Sequence, residues 1–324
     1  MIDRLQIARP VAFEFEQFKA DFSSVLHSEV PLLQSAIEQV FRSNGKHIRP
    51  LLLLLTAKAC GKPTGMTREA AVIIEVLHTT TLIHDDVVDE TKQRRGMPSL
   101  NAIFDNRIAV LTGDYLIAST ISRAAETGNI AIIKIIADVS RELSEGELMQ
   151  LDHAEKHSVN EEDYFKMINK KTATLISACA EIGAISANAF PDTVQNCRLF
   201  GKYLGYCFQI KDDIFDYYED LDIGKPTEND IREGKITLPL LYALKKAPEK
   251  ESSHYMEIIA RQDFTPGNVA ELIAFAKQQG GIEYAEKKLK EYKQKAVGII
   301  RNFPESEARN SLLLLADYFA ERTN

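Results

Sequence analysis

The chain carries one acidic pattern twice, Asp85-Asp86-Val87-Val88-Asp89 and Asp212-Asp213-Ile214-Phe215-Asp216, 127 positions apart and each closing a mostly apolar run. On a helix the first and last carboxylates of such a pentad stand at i and i+4, about 6 Å apart on one face, where like charges destabilise the helix. Glycine and proline follow each pentad, at Gly96 and Pro98 and at Gly224 and Pro226. Both clusters are therefore predicted near helix C-termini, where the macrodipole disfavours anions. Carboxylates set against both repulsion and dipole predict a bound hard cation, Mg²⁺ first, and through it an anionic ligand. A solvated acidic face is the bland alternative. Against it, bulky apolar residues run right up to the acids in Thr81-Leu82-Ile83-His84-Asp85-Asp86 and Phe208-Gln209-Ile210-Lys211-Asp212-Asp213.

Helical periodicity dominates the rest, β-branched alternation is almost absent, and glycine and proline gather at a few breaks such as Gly61 to Gly65. The pattern predicts an all-α chain with helices near 11–27, 30–43, 48–60, 67–90, 100–109, 112–126, 129–154, 161–188, 192–220, 236–246, 251–261, 267–279, 281–302 and 305–322. The stretches 67–86 and 172–189 are apolar nearly all round, as the central helices of a large bundle are. No linker or low-complexity tract divides the 324 residues, so 1–324 is expected to be a single domain, with a polar shift at 247–266 before a C-terminal helical cap. The paired pentads suggest a weak internal duplication.

A formal net charge of −8 argues against a general nucleic-acid binder, since phosphate backbones are held by a surplus of Lys and Arg, and makes any phosphate site local. Cys60, Cys179, Cys197 and Cys207 form no Cys-x-x-Cys pair and read as buried thiols of a reducing cytoplasm. Met1 to Pro10 lacks the apolar core of a signal peptide. The dense run Leu51 to Leu55 is bracketed by Arg49 and Lys58, far short of the roughly 20 residues that a membrane span needs. The expectation is a soluble, cytoplasmic protein with no transmembrane segment.

Six further segments carry a resemblance: Gly45-Lys46-His47-Ile48-Arg49-Pro50, His78 ahead of the first pentad, Arg94-Arg95-Gly96, Lys171-Thr172, Phe208-Gln209, and Gly234-Lys235 before Thr237-Leu238-Pro239. In this order and spacing, over about residues 40 to 240, the chain resembles a trans-isoprenyl diphosphate synthase of the medium and long-chain branch, with a pattern similar to the octaprenyl diphosphate synthases. The resemblance implies a helical bundle of the isoprenoid synthase type. It implies that Asp85, Asp89 and Asp212 bind three Mg²⁺ ions on an allylic diphosphate, with Asp86, Asp213 and Asp216 completing the shell. Arg94, Lys171 and Lys235 then resemble donors to the same diphosphate, and Lys46, Arg49, His78 and Arg95 the pocket for isopentenyl diphosphate. Lys225 joins the substrate-binding set. Thr172 and Gln209 inherit stabilisation of an allylic carbocation, and released diphosphate the role of proton acceptor.

The residues themselves agree with that assignment. An acidic chain that concentrates Lys and Arg at those few positions is suited to two diphosphates. His78, seven residues before Asp85, shares its helix stripe. Taken singly, each has a bland reading: Lys171 beside Lys170 as a solvated lysine, Arg94-Arg95 as a basic turn, Gln209 as a satisfied core amide. No serine or cysteine triad is evident, and His47 is assigned no role. One departure is Glu228, which stands where the family usually has glycine.

Product length is read from what lies below the acids. Thr81 and Thr80, then Leu77 and Val76, descend the first helix from Asp85 with no bulky aromatic among them. A facing stripe of Gln150, Glu147, Leu143, Ser140 and Ile136 drops roughly 21 Å at 1.5 Å per residue, which predicts a central tunnel if it is more than core packing. The leading expectation is a product near octaprenyl diphosphate, for a quinone side chain and handed to membrane enzymes, made by a homodimer. A short-chain farnesyl or geranylgeranyl synthase, a terpene cyclase and a non-catalytic partner subunit are the alternatives. The intact second pentad disfavours the last two.

Overall fold

The structure is a computed structural model that describes residues 4–42, 45–94, 96–156, 160–218 and 229–322. Seventeen helices follow one another among these residues: α1 (Arg4–Ala8), α2 (Ala12–Ser23), α3 (Pro31–Arg42), α4 (Ile48–Cys60), α5 (Gly65–Val88), α6 (Leu100–Ile103), α7 (Asn106–Glu126), α8 (Ile130–Lys156), α9 (Glu161–Ile168), α10 (Thr174–Ser186), α11 (Pro191–Phe215), α12 (Asn229–Arg232), α13 (Leu238–Lys246), α14 (Glu249–Ala260), α15 (Pro266–Gln278), α16 (Gly281–Arg301) and α17 (Glu307–Glu321). The all-α expectation holds, with one two-residue hairpin, β1 (Gln93–Arg94) and β2 (Met97–Pro98), turning at Gly96.

The two stretches that read as apolar all round are central. Ten of the thirteen residues of α10 are buried, and α5 buries Ala70 through His78 without a break. A capping box starts α5: the Thr64 hydroxyl accepts from the Thr67 amide, and the Thr67 hydroxyl accepts from that of Thr64. Two apolar clusters form the core. One joins α4, α5, α7, α8, α10 and the first part of α11; the other joins α9, the last part of α11, α13, α15 and the start of α16. Helix α11 feeds both, with Phe200 and Leu204 in the first cluster and Ile210 and Ile214 in the second. It is the spine along which the second pentad is carried.

Three boundaries differ from the periodicity reading. Residues 106–126 form one helix, where a break near 110–111 was expected. Gly113 is a packing residue instead: a Cβ there would fall 2.2 Å from Nε2 of His84 on α5. The true break is at Asp105, whose carboxylate accepts from the Ile108 amide and caps α7. The expected helix 161–188 is interrupted by a π-helical turn, Asn169–Ala173. The expected helix 192–220 ends at Phe215.

The π turn is held from both sides by glycine. A Cβ on Gly146 of α8 would lie 2.5 Å from the Lys171 amide nitrogen, and one on Gly205 of α11 would lie 2.4 Å from Cα of Ala173. Only residues without side chains let α8 and α11 approach this turn so closely, and the wide turn presents Lys171 and Thr172 between them. Gly205→Ala is expected to destabilise the protein by about 1–3 kcal/mol through overpacking against backbone, measured by urea unfolding. Turnover should fall with it, because the same shift displaces Thr172.

Candidate active site

Both pentads end their helices as expected: Asp89 is the C-cap of α5 and Asp216 that of α11. The segment after α5 is tied back to it. Thr91 donates its amide to the Asp86 carbonyl at 2.9 Å, and Asn101 donates its side-chain amide to the same oxygen at 3.0 Å. Ser99 donates its amide to the Lys92 carbonyl and its hydroxyl to that of Thr91. This folds the hairpin over the helix end and lays Arg94 on Asp86, its Nε and Nη2 each 2.6 Å from Oδ1.

Asp85 faces α8. Its carboxyl is pushed up to about 6, first by burial and then by the charges of Glu147 and Asp89, against the pull of Lys171 and Arg94. Lys171 lies 2.6 Å from Glu147 Oε2 and donates to Gln150 Oε1 at 3.0 Å. The polar end of the stripe read on α8 thus meets the first pentad, as the sequence suggested. Thr172 donates its hydroxyl to Oε1 of Gln209 at 2.6 Å, Gln209 donates Nε2 to Oδ1 of Asp213 at 2.9 Å, and the Tyr164 hydroxyl donates to the other Asp213 oxygen at 2.5 Å. Burial, then the Asp230 charge, push the Asp213 carboxyl up to about 8, against these two donors. The Asp230 amide donates to Asp216 Oδ2 at 3.0 Å. Lys235 pairs with Glu233. Burial works against its ammonium, yet Asp230, Glu233 and Asp89 outweigh that and hold its pKa above the ordinary lysine value. Lys235 therefore senses the first pentad as well as the segment after the second.

One cleft gathers this chemistry, lined by Gln150, His153, Tyr164, Lys171, Thr172, Gln209, Asp213, Asp230 and Lys235. A second lies on the other side of the first pentad, lined by Phe22, His47, Glu75, Thr79, Asp86 and Arg94 among others. Arg49 and His78 stand nearby on α4 and α5, with Nη1 of Arg49 donating to Nε2 of His78 at 2.9 Å, which puts the imidazole proton on Nδ1. Lys46 is exposed, just ahead of α4. Arg95, Lys225 and Glu228 lie outside the described residues. Of the residues read as setting length, Leu77, Thr80 and Ile136 are buried, whereas Thr81 is half-buried with its hydroxyl on the His78 carbonyl.

Four residues of the site escaped the sequence reading. Tyr164 and Asp230 sit in no acidic or basic motif. His47 takes a left-handed backbone, φ 47°, and holds Glu75 through Nδ1 at 2.8 Å. Arg322, beyond the end of α17, places Nη2 2.6 Å from Oδ1 of Asp212, donates to the Phe208 carbonyl, and stacks 3.9 Å over the Phe208 ring. Only long-range packing reveals these partners.

The donor set suits a divalent cation. The pentad aspartates bring hard oxygen atoms to two helix ends, and a divalent ion would offset the burial and the Glu147 and Asp89 charges that raise Asp85. Among the described residues, no three His, Cys, Asp or Glu side chains gather closely enough to hold a metal ion, and Arg94 and Arg322 hold Asp86 and Asp212.

The polyprenyl synthetase family model matches residues 30–276. The chain belongs to that family, the trans-isoprenyl diphosphate synthases, and is a prenyltransferase making trans-polyprenyl diphosphates. It is 35% identical over 320 residues to the all-trans-nonaprenyl-diphosphate synthase (geranyl-diphosphate specific) of Rhodobacter capsulatus, covering 98% of this chain and 97% of that one. The fold matches polyprenyl synthase from Caulobacter crescentus, solved with calcium and isoprenyl diphosphate, at a TM-score of 0.91 with 30% identity over 98% of each chain. Geranylgeranyl pyrophosphate synthase from Bacteroides thetaiotaomicron matches at a TM-score of 0.84 with 41% identity, over 98% of this chain and 99% of that one. Among the described residues no helix is long and apolar enough to cross a membrane.

The raised Asp85 carboxyl has a stability consequence. The folded state holds this proton more tightly than the unfolded state, so in metal-free protein the group's contribution falls as pH rises from about 4 to 6 and stays low above that. Asp85→Asn is expected to stabilise the metal-free protein at pH 7 by roughly 1–3 kcal/mol, with the gain vanishing near pH 4. Urea unfolding at the two pH values checks it, and an equal gain at both would contradict the electrostatic cause.

Proposed function

We propose that this prenyltransferase extends an allylic diphosphate primer with isopentenyl diphosphate to a medium or long all-trans product, near octaprenyl, as a cytoplasmic Mg²⁺-dependent homodimer. The observation that carries the reading is the meeting of Asp85, Asp89, Lys171 and Lys235 with the Thr172–Gln209–Asp213 chain between two helix C-termini. Asp85, Asp89 and Asp212 would hold three Mg²⁺ ions. Asp86, Asp213 and Asp216 would complete the shell largely by fixing Arg94, Gln209 and the Asp230 backbone. When bound, Mg²⁺ offsets the charge of the allylic diphosphate and of its departure.

The chain's own groups do the rest. Lys171, Arg94 and Lys235 donate to the departing diphosphate from positions on Glu147, Asp86 and Glu233. The Thr172 hydroxyl and Gln209 amide turn their oxygens toward the allylic cation, and their mutual hydrogen bond fixes that orientation. Lys46, Arg49 and His78, with Arg95 from outside the described residues, would take isopentenyl diphosphate. Its double bond attacks the cation, and released diphosphate accepts the proton. Support for a dimer comes from the exposed apolar side chains of α7 and α8, Val110, Leu111, Ile121, Leu148 and Leu151.

The product-length reading rests on small or aliphatic residues below Asp85 and on the 35% identity to a nonaprenyl synthase. The 41% identity to a geranylgeranyl synthase favours a second, shorter reading. Incubation with labelled isopentenyl diphosphate, Mg²⁺ and geranyl, farnesyl or geranylgeranyl diphosphate, followed by sizing of products, separates the two. Products that stop at geranylgeranyl diphosphate would overturn the longer reading, and full turnover in EDTA would overturn the metal.

Two substitutions test the subsites. Arg49→Ala is expected to raise KM for isopentenyl diphosphate at least tenfold while leaving that for the primer within about threefold, since it removes charge-assisted bonds to one diphosphate only. Thr81→Phe places a ring one helical turn, about 5.4 Å, below Asp85 and should shorten products to roughly fifteen to twenty carbons with the first condensations kept. Ile136→Ala, deeper on α8, should lengthen them. Unchanged product sizes in both variants would remove these residues from the wall.

A further inference from the structure

At the end of the bundle away from the carboxylates, Cys60 closes α4 and Cys197 lies on α11, with their sulfurs 3.6 Å apart. The two positions are 137 residues apart in sequence, so this is a contact made only by the fold. Cys60 is partly accessible, and Cys197 is fully buried beneath it. The other two cysteines differ: Cys179 and Cys207 are each fully buried, and each donates to a backbone carbonyl, of Leu175 and of Leu289. They have no thiol neighbour.

We propose that Cys60 and Cys197 are a reversible disulfide site that staples α4 to α11 and takes small disulfides of the glutathione type as its oxidant. The arrangement is that of an attacking and a resolving thiol. Cys60 is reachable from solvent, and the hydrogen bond it receives from Cys197 lowers its pKa and favours the thiolate, the nucleophilic form. Its sulfur attacks one sulfur of the small disulfide and expels a thiolate, giving a mixed disulfide on Cys60. Cys197 then attacks Cys60 Sγ and expels the second thiolate, which takes up the Cys197 proton. Two protein thiols are oxidised and one small disulfide is reduced to two thiols. Closure needs the sulfurs to approach by about 1.5 Å to reach the S–S bond length near 2.05 Å.

Position sets the expected consequence. Cys197 precedes Asp212 by fifteen residues on one continuous helix, a separation of about 22 Å. The staple therefore leaves the reacting end untouched and closes a long loop, which restricts the unfolded chain.

The test uses the intact protein treated with oxidised glutathione, then alkylated in denaturant. Alkylatable cysteines should fall from four to two, and Tm should rise by on the order of 5 °C and return with dithiothreitol. Digestion at glutamate and arginine, which cuts at Glu181 and Arg198 on either side of Cys197, should yield a peptide pair joined through Cys60 and Cys197. Cys60→Ser should keep three alkylatable cysteines, Cys197→Ser should stop at the glutathione adduct on Cys60 and keep two, and neither should show the Tm rise, with turnover before oxidation unchanged. Four alkylatable cysteines after treatment or a stable glutathione adduct on Cys60 in the unsubstituted protein, or the same Tm rise in Cys60→Ser, would each overturn the proposal.

Discussion

Mutual repulsion among carboxylates at two helix C-termini is the constraint to which the rest of this fold answers. Neither dipole nor neighbours favour Asp85, Asp89, Asp212 or Asp213 as anions. The chain meets that with cations delivered from elsewhere: Arg94 from the hairpin after α5 to Asp86, Arg322 from the end of α17 to Asp212, and Lys171 from the π turn to Glu147. Where burial and neighbouring acids outweigh the cations and donors at hand, the proton affinity rises instead, as at Asp85 and Asp213. An ion at these carboxylates would replace arginine and lysine as their partner, and the released side chains would be left beside the phosphates that the ion carries.

That exchange requires each cation to be held at its base and free at its tip. The hairpin carrying Arg94 is fixed through the Asp86 carbonyl, by Thr91 and Asn101, and not through the Asp86 carboxylate alone. Lys171 rises from a backbone pinched between Gly146 and Gly205. Arg322 stacks on Phe208, binds its carbonyl and lies over Phe215, so three of its contacts do not involve Asp212. In each case the backbone or the ring contact sets position, and the ion pair only sets the charge state.

Much of this was legible from residues alone. The pentads, their placement at helix ends and the central character of α5 and α10 are properties of local pattern, and local pattern is what a sequence displays directly. The π turn was not legible because Lys170-Lys171-Thr172 has ordinary helical residues; its cause is the close approach of α8 and α11 at glycines far away in sequence. The break expected near 110–111 is absent for the complementary reason: Gly113 seats the His84 ring within an unbroken helix. Tyr164, Asp230 and Arg322 join the site across 49, 14 and 110 positions, so no spacing rule could have found them.

The two ends of the bundle divide stability from chemistry. At the carboxylate end, charge and buried polar chains hold groups in states that burial disfavours, and this costs stability that must be recovered elsewhere. At the opposite end the Thr64–Thr67 capping box binds Ser186 of α10, and α4 meets α11 at paired thiols, all in closely packed surroundings. Helices α5 and α11 run from one end to the other. A chain growing from the acids would move along them from the adaptable end toward the rigid one. Its length would then be set where packing is least able to yield, which assigns the depth of the wall to aliphatic residues such as Leu77 and Ile136 rather than to the polar groups around the metal site.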